Sequence, residues 1–138
     1  MEIYPFGENA LKQTAIINTT PLEHDEQVTF FEYLELQYRN IVAFAIPNAG
    51  RRSRKTGHKM KKEGLRKGVP DIMVAEKCGI YGGLFIEMKR QKGGTTSSEQ
   101  HAMIAKLRDK GYFCVIARGF DEAVKHLNYY LSLGEPTL

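Results

Sequence analysis

The sequence predicts an α/β fold in which a mixed central sheet is flanked by helices. Four short strand-like segments are interspersed with three longer segments of helical periodicity. The two middle strands follow one another across a short glycine-containing turn, which indicates an antiparallel hairpin. The last strand is reached across a helix, as a parallel neighbour would be. The order helix, strand, strand, strand, helix, strand, helix therefore predicts a mixed sheet.

The first helix is predicted to begin beside Thr20, which would cap it, with Pro21 in its first turn and Glu23 in the capping-box position. It is predicted to end near Arg39. Glu23 falls on the inward face, and Glu26 lies to one side of it. The other residues predicted on the inward face are Gln27, Phe30, Phe31, Leu34 and Tyr38.

Residues 41–46 form a short apolar run that ends at Pro47, and this predicts a buried strand followed by a turn. The next segment, 51–67, holds nine of the 20 lysines and arginines and a single acid, Glu63. Spaced glycines disfavour a long helix here, so we predict a loop with at most a short helical piece around 58–63. Such a basic run is often only a solvated surface, but it also supplies the charge needed to bind phosphates.

The two apolar runs 69–75 and 83–89 predict the paired strands of the hairpin. A helix then follows from Ser97 to Lys110, stopped by a glycine. A strand over 112–117 and an amphipathic helix from about 120 to 131 complete the fold. The residues that the Ser97 helix presents on one face are Gln100, Met103, Ile104 and Leu107.

Length and composition predict one domain over 20–138, preceded by an arm over 1–19 that has no clean periodicity. No apolar run approaches the roughly 20 residues of a membrane span, and no export signal is visible, so we expect a cytoplasmic protein. Cys78 and Cys114 lie in apolar, strand-like stretches and are predicted to be reduced thiols in the core.

Glu87 and Lys89 stand two residues apart in an apolar strand, so they share one face of the sheet. A solvent-facing ion pair would account for them without any chemistry. Asp71, on the preceding strand, would instead add a second carboxylate, and two carboxylates with water are the usual surroundings of Mg²⁺ or Mn²⁺. Such an ion polarises a phosphate oxygen and lowers the pKa of bound water, while Lys89 would stabilise the developing charge.

Pro70-Asp71 followed by Glu87-Met88-Lys89 resembles the PD-(D/E)XK nuclease signature. The context makes the resemblance more specific, and over roughly 20–131 the chain resembles the virus-type replication-repair nuclease (VRR-NUC) family. This resemblance implies a restriction-endonuclease-like core and a metal-dependent deoxyribonuclease. The segments that carry it are Pro47-Asn48-Ala49-Gly50-Arg51, the spacing Gly57…Lys61…Gly64…Gly68, the strand Gly83–Lys89 and Ser97-x-x-Gln100.

The resemblance also assigns roles to the residues of the hairpin. It implies that Asp71 and Glu87 bind the metal ion and that the Met88 carbonyl completes the site. Lys89 is then the catalytic lysine.

A glutamate on the first helix is implied as well, and either Glu23 or Glu26 can supply it. Its inward position favours Glu23, although its predicted capping-box place offers a purely structural role. Gln100 is likewise either a site residue or a cap, because Ser97-x-x-Gln100 is itself a capping box.

The basic segment is then expected to contact DNA phosphates rather than bases. Stand-alone members of the family look like Holliday-junction resolvases that work as homodimers in DNA repair, which implies a homodimeric endonuclease for branched DNA. A nuclease for flaps, nicks or linear ends, and a catalytically inactive DNA-binding module, are the alternatives. The residues expected to contact DNA are Asn48, Arg51, Arg52, Arg54, Lys55, Lys59, Lys61, Lys62, Arg66 and Lys67.

Overall fold

A computed structural model of the chain describes residues 20–47 and 54–137. The predicted arm over 1–19, together with Asn48, Arg51 and Arg52, lies outside the described residues. Within them, the helices and strands follow one another in the order α1 Glu23–Gln37, β1 Ala43–Ala45, α2 Arg54–Lys62, β2 Ile72–Val74, β3 Leu84–Lys89, α3 Ser98–Asp109, β4 Phe113–Arg118 and α4 Phe120–Ser132.

The four strands form one sheet in the order β1-β2-β3-β4. β2 pairs antiparallel with both β1 and β3, as the predicted hairpin requires. β4 lies parallel to β3 and is reached across α3. The predicted mixed sheet with flanking helices is therefore confirmed.

Side-chain alternation along β3 divides the interior into two cores. Leu84, Ile86 and Met88 belong to the larger core, on the side of α1 and α4. Phe85 packs on the opposite side with Ile104 of α3. Since residues two apart in a strand share a face, Glu87 and Lys89 lie on the α3 side with Phe85.

All six residues of β3 are buried. Only 1% of Glu87 and 8% of Lys89 is exposed, so the solvent-facing ion pair considered from the sequence is wrong. Placing charges in the interior is costly unless other groups compensate them, and this strand therefore carries a functional or structural constraint beyond packing.

α1 begins later than predicted. Leu22 occupies its N-cap position in extended conformation and makes no side-chain cap, so the Thr20 cap is wrong. Proline favours an extended backbone in the residue before it, and here the chain stays extended through Leu22. Glu23 is thus the first helical residue rather than the capping-box residue, and the helix ends at Gln37, two residues before Arg39.

The inward face of α1 also differs from the prediction. Glu26 is buried together with Phe30 and Leu34, whereas Gln27 and Phe31 are half-buried. Burial of Phe30 and Leu34 is as predicted, but the prediction that Glu26 lies to one side is wrong, because the buried stripe continues one turn back from Phe30 to Glu26 rather than to Gln27.

β1 is an edge strand of three residues, and the prediction of a buried strand over 41–46 is wrong. Phe44 is 46% exposed and Val42 is 62% exposed. An apolar run does not reveal whether another strand covers its outer edge.

The basic segment contains a nine-residue helix, α2, which is longer than the short piece predicted around 58–63. Arg66 closes its C-terminal end, because the Nη1 of Arg66 donates to the carbonyls of Lys61 and Leu65 at 3.0 and 3.1 Å. Both cysteines are free and buried, as predicted. In the described part of the chain, no helix is long and apolar enough to cross a bilayer.

Candidate active site

The pairing of β2 with β3 brings Asp71 and Glu87 together. Ile72 pairs with Ile86, so the residues just beyond this pair, Asp71 and Glu87, lie opposite each other on the α3 face. Asp71 is 7% exposed, and its Oδ2 accepts a hydrogen bond from the Met88 backbone N–H at 2.8 Å. The N–H and C=O of one strand residue point to the same side, so the Met88 carbonyl is directed toward the Asp71 side as well.

Gln100 connects Glu87 to Lys89. Glu87 Oε1 accepts a hydrogen bond from Gln100 Nε2 at 2.7 Å and lies 3.4 Å from Lys89 Nζ. Lys89 Nζ in turn donates to Gln100 Oε1 at 3.1 Å. The lysine ammonium is therefore held beside the carboxylates by two acceptors from different elements.

The same glutamine caps α3. The Gln100 backbone N–H donates to Ser97 Oγ at 3.2 Å, and Gln100 Oε1 accepts from the Ser97 N–H at 2.9 Å. These two bonds form the capping box predicted from the sequence. The sequence left a capping role and a site role as alternatives for Gln100. In the structure its side chain caps α3 and contacts Glu87 and Lys89 at the same time.

The two buried carboxyls are poorly suited to carry two negative charges by themselves. Burial, and next the charge of Asp71, raises the pKa of Glu87 to about 8, against the opposing effect of Lys89. Burial also raises the pKa of Asp71, although the hydrogen bond from the Met88 N–H acts in the other direction. Carboxylates that share a site in this way favour a proton or a cation between them.

The chemistry of this donor set fits a hard divalent cation. Glu87 Oε2 is buried and has no hydrogen-bond partner among the described residues, a state that costs about 1–3 kcal/mol for a buried polar group. Across residues 20–47 and 54–137, no three His, Cys, Asp or Glu side chains converge on one point. Two carboxylates and the Met88 carbonyl would leave the remaining positions to water and phosphate oxygens, as Mg²⁺ commonly requires.

Glu23 faces this site from the start of α1. It is half-buried, and burial, followed by the charge of Asp71, raises its pKa, whereas Lys89 lowers it. The carboxyl is thus within electrostatic reach of both Asp71 and Lys89. Because Glu23 is the first helical residue, the capping-box role that competed with a site role is absent.

Glu26 has a different set of partners. Its Oε1 accepts a hydrogen bond from Gln91 Nε2 at 2.9 Å, and its Oε2 accepts from the Phe120 backbone N–H. Phe120 is the first residue of α4, and its N-cap, Gly119, has no side chain with which to cap the helix. Glu26 therefore caps α4 from a neighbouring helix, where a negative charge also complements the helix dipole.

The basic residues of α2 and of the segment after it lie exposed. Gly68, the residue that follows this segment, lies directly against the turn that carries Gln100, because a Cβ on Gly68 would be 2.4 Å from the Glu99 carbonyl oxygen. Of the residues predicted to contact DNA, those that the structure describes are all exposed: Arg54, Lys55, Lys59, Lys61, Lys62, Arg66 and Lys67.

Arg118 is a residue of this region that the sequence did not single out. It is the register partner of Lys89 in the parallel β3–β4 pair, so the two side chains share the α3 face. Arg118 is exposed, and its Nη1 donates to the Gly94 carbonyl at 2.8 Å. The only sequence signal for a role of Arg118 is that it is a basic residue at the end of the last strand. The register of two strands joined across a helix cannot be predicted from the sequence.

The comparisons with known proteins agree with this geometry. Residues 8–121 match the family model described as the VRR-NUC domain. The chain belongs to the VRR-NUC family. A solved structure described as a VRR_NUC domain protein superposes with a TM-score of 0.74 at 24% identity, covering 86% of this chain and 95% of that chain. No curated protein gives a significant match.

The resemblance predicted from the sequence is therefore confirmed, and so is the α/β fold with a mixed sheet. VRR-NUC membership places the chain in a family of nucleases. The solved structure supports the fold alone, because its sequence identity is low. The roles of individual residues therefore depend on the contacts described above.

Glu26 and Glu23 are predicted to differ in their effects on stability. Glu26→Ala removes the acceptor for the Phe120 N–H and Gln91, so it should lower the free energy of unfolding by about 2 kcal/mol. Glu23→Ala should change it by less than about 0.5 kcal/mol, because it removes a carboxylate that Asp71 repels. Urea denaturation measures both, with exposed Glu32→Ala on the same helix as the control. Equal unfolding midpoints for Glu26→Ala and wild type would contradict the capping role.

In metal-free protein, the raised pKa of Glu87 predicts stability that falls as the pH rises. Folding raises this pKa from 4.5 to about 8, so the folded chain binds more protons than the unfolded chain between these values. The stabilisation that the raised pKa of Glu87 provides is complete below pH 4.5 and is lost as the pH rises toward about 8. The Tm of metal-free protein should therefore decrease from about pH 5 to about pH 8.

Glu87→Gln is neutral at every pH, so it should show a smaller slope and melt at least about 3 °C above wild type at about pH 8. Scanning calorimetry in chelator-treated buffer measures this difference, and Glu35→Gln, exposed on α1, serves as the matched control. If wild type and Glu87→Gln had the same dependence of Tm on pH, the electrostatic description of the site would be wrong.

Proposed function

We propose that this VRR-NUC protein is a Mg²⁺- or Mn²⁺-dependent endonuclease that hydrolyses phosphodiester bonds in branched DNA, acting as a Holliday-junction resolvase. One observation carries the proposal above all. In the part of the chain that the structure describes, a buried Asp71–Glu87 pair, with an unpartnered oxygen on Glu87, lies beside a buried lysine. A structural ion pair would match one carboxylate with Lys89, whereas two carboxylates leave a negative charge for a metal ion to balance.

Asp71, Glu87 and the Met88 carbonyl would hold the ion. When bound, it would polarise the scissile phosphate and lower the pKa of a water molecule. Lys89 supplies a fixed positive charge in a buried site, where it can orient the attacking water and stabilise charge developing on the phosphate. Its contact with Gln100 Oε1 limits the freedom of the long side chain, which is the condition for such preorganisation.

Two further residues would assist at the rim of the site. Gln100 holds Glu87 and Lys89 at a fixed separation, because its amide donates to one and accepts from the other. Glu23 brings a third carboxyl whose pKa is raised by burial and by the charge of Asp71, and a more basic carboxylate accepts a proton from water more readily. Glu26 is less suited to this role, because its two carboxylate oxygens already accept hydrogen bonds from Gln91 and Phe120.

The basic segment would bind the DNA backbone. Its side chains are exposed, and Gly68 holds the end of the segment against the turn bearing Gln100. Phosphate contacts of this kind set affinity and position without reading the base sequence, which suits recognition of a branched shape. Arg118, on the same face as Lys89, adds a cation at the other side of the site.

The choice of a four-way junction and of a homodimer depends on the likeness to stand-alone VRR-NUC proteins. Two active sites related by a two-fold axis would suit the cutting of two strands of a symmetric junction.

The test is cleavage of a synthetic four-way junction with Mg²⁺ or Mn²⁺. Asp71→Asn, Glu87→Gln and Lys89→Met should each lower the single-turnover rate by at least about 100-fold, because each removes charge from the reacting centre. All three should still bind the junction in a gel-shift assay. Lys110→Ala, an exposed lysine at the far end of α3, should cut like wild type.

The outcomes separate the alternatives. Undiminished cutting by all three variants would refute the assignment of the site, and tight binding without cutting under either metal would identify a DNA-binding module. Faster cutting of flaps, nicks or ends than of the junction would replace the branched substrate. Paired cuts on opposite strands, from a species that sediments as a dimer, would support the two-fold arrangement, and single cuts by a monomer would contradict it.

A further inference from the structure

Gly68 makes an unusually close backbone contact with α3. A Cβ added there would lie 2.4 Å from the Glu99 carbonyl oxygen and 2.9 Å from the Gln100 nitrogen. Neither atom belongs to a flexible side chain that can move aside, so both contacts would require the backbone to shift. The φ of 86° at Gly68 independently disfavours any other residue.

The turn that Gly68 touches is the one that orients Gln100. In that turn the Gln100 side chain contacts Glu87 at 2.7 Å and Lys89 at 3.1 Å. These hydrogen bonds tolerate little displacement, because an added separation of about half an ångström takes the Lys89 contact outside the normal range and the Glu87 contact to its limit. The position of the first turn of α3 therefore determines whether both contacts can form together.

Gly68 immediately follows the basic segment. α2 is closed by the hydrogen bonds from Arg66 to Lys61 and Leu65, and Gly68 follows two residues later. Beyond it the chain passes through buried Pro70 to Asp71. Along the chain, Gly68 thus lies between the exposed residues of the basic segment and the candidate metal ligand Asp71, and it also contacts the turn of Gln100.

We propose that Gly68 is a positioning residue for the reaction. The absence of a side chain at Gly68 lets the end of the basic segment lie directly on the first turn of α3, which fixes Gln100 against Glu87 and Lys89. The rate effect rests on the proposed nuclease function, whereas the contact and its effect on α3 do not.

Gly68→Ala is therefore expected to impair the reaction more than binding. The single-turnover rate at saturating junction DNA should fall by about 10- to 100-fold, because misplacement of groups by less than an ångström has effects of this size. The Kd for the junction should change by less than about threefold, since the basic side chains remain exposed. A purely structural role would lower the yield of folded protein without this division between rate and affinity.

Gly111→Ala is the matched control. Gly111 has a φ of 94° and lies at the other end of α3, but no atom of residues 20–47 or 54–137 stands within 4 Å of a Cβ placed there. Both substitutions carry the backbone cost of a positive φ, and only Gly68→Ala adds the collision with α3. Gly111→Ala should lower the Tm but leave the rate at saturating DNA within about twofold of wild type. An equal loss of rate in both variants would overturn the proposal.

A double substitution tests whether the effect passes through Gln100. If it does, Gly68→Ala combined with Gln100→Ala should be no slower than Gln100→Ala alone. Multiplicative losses would show that Gly68 acts by another route and would overturn the assignment. Ser97→Ala, which loosens the same turn from its other side, should reproduce the division between rate and affinity in a variant that folds. An unchanged rate for Ser97→Ala would count against control by this turn.

Hydrogen exchange gives a readout that does not depend on cleavage. The amides of Gln100 and His101, which donate to Ser97 Oγ and to the Ser97 carbonyl, should exchange faster in Gly68→Ala and at the wild-type rate in Gly111→Ala. If wild type proved unable to cut DNA, the proposed function would fail while this exchange difference still tested the contact. Unchanged exchange in Gly68→Ala would overturn the proposal even if wild type cut well.

Discussion

The proximity of Asp71 and Glu87 inside the protein is the constraint on which the rest of the site depends. Their strands pair across a hairpin, so the sheet itself sets the separation of the two carboxyls. Burial makes the double negative charge unfavourable, which is why the pKa values of both groups are raised. A proton or a cation held between the two carboxylates offsets this cost, and the metal ion that we propose would do so in the active protein.

The surrounding elements fix the geometry of the site formed by Asp71 and Glu87. The opposite face of β3 packs into the main core, so the strand cannot shift without disturbing it. Gln100 connects the site to α3, and Glu26 connects α1 to the start of α4. Side chains that are fixed by several elements lose little freedom when substrate binds, and this favours catalysis by preorganised charge.

Much of this arrangement could be predicted from the sequence, because it follows from local rules. The alternation in 83–89 placed Glu87 and Lys89 on one face, and the capping box located the start of α3 and with it Gln100. The mixed sheet was predicted from the short turn between β2 and β3 and from the helix that connects β3 to β4. The match over 8–121 confirms the family that these motifs indicated.

The remainder depends on long-range contacts that no local pattern encodes. Glu26 was placed to one side because helical periodicity does not tell which face another helix will cover, and the cap that it provides for α4 joins residues 94 positions apart. β1 was expected to be buried because its run of residues is apolar. Its edge position is set by the rest of the sheet and cannot be predicted from that run. The approach of Gly68 to Glu99 and the register of Arg118 with Lys89 likewise exist only in the folded chain.

The most direct measurement of the central claim is a crystal structure of the protein soaked with Mn²⁺, with the ion located by its anomalous scattering. The account predicts one strong peak within about 2.0–2.4 Å of oxygens from Asp71, Glu87 and the Met88 carbonyl, with Glu87 Oε2 among its ligands. The peak should disappear in Glu87→Gln crystals soaked in the same way. A peak elsewhere in wild type, or none between these groups, would contradict the metal-dependent site.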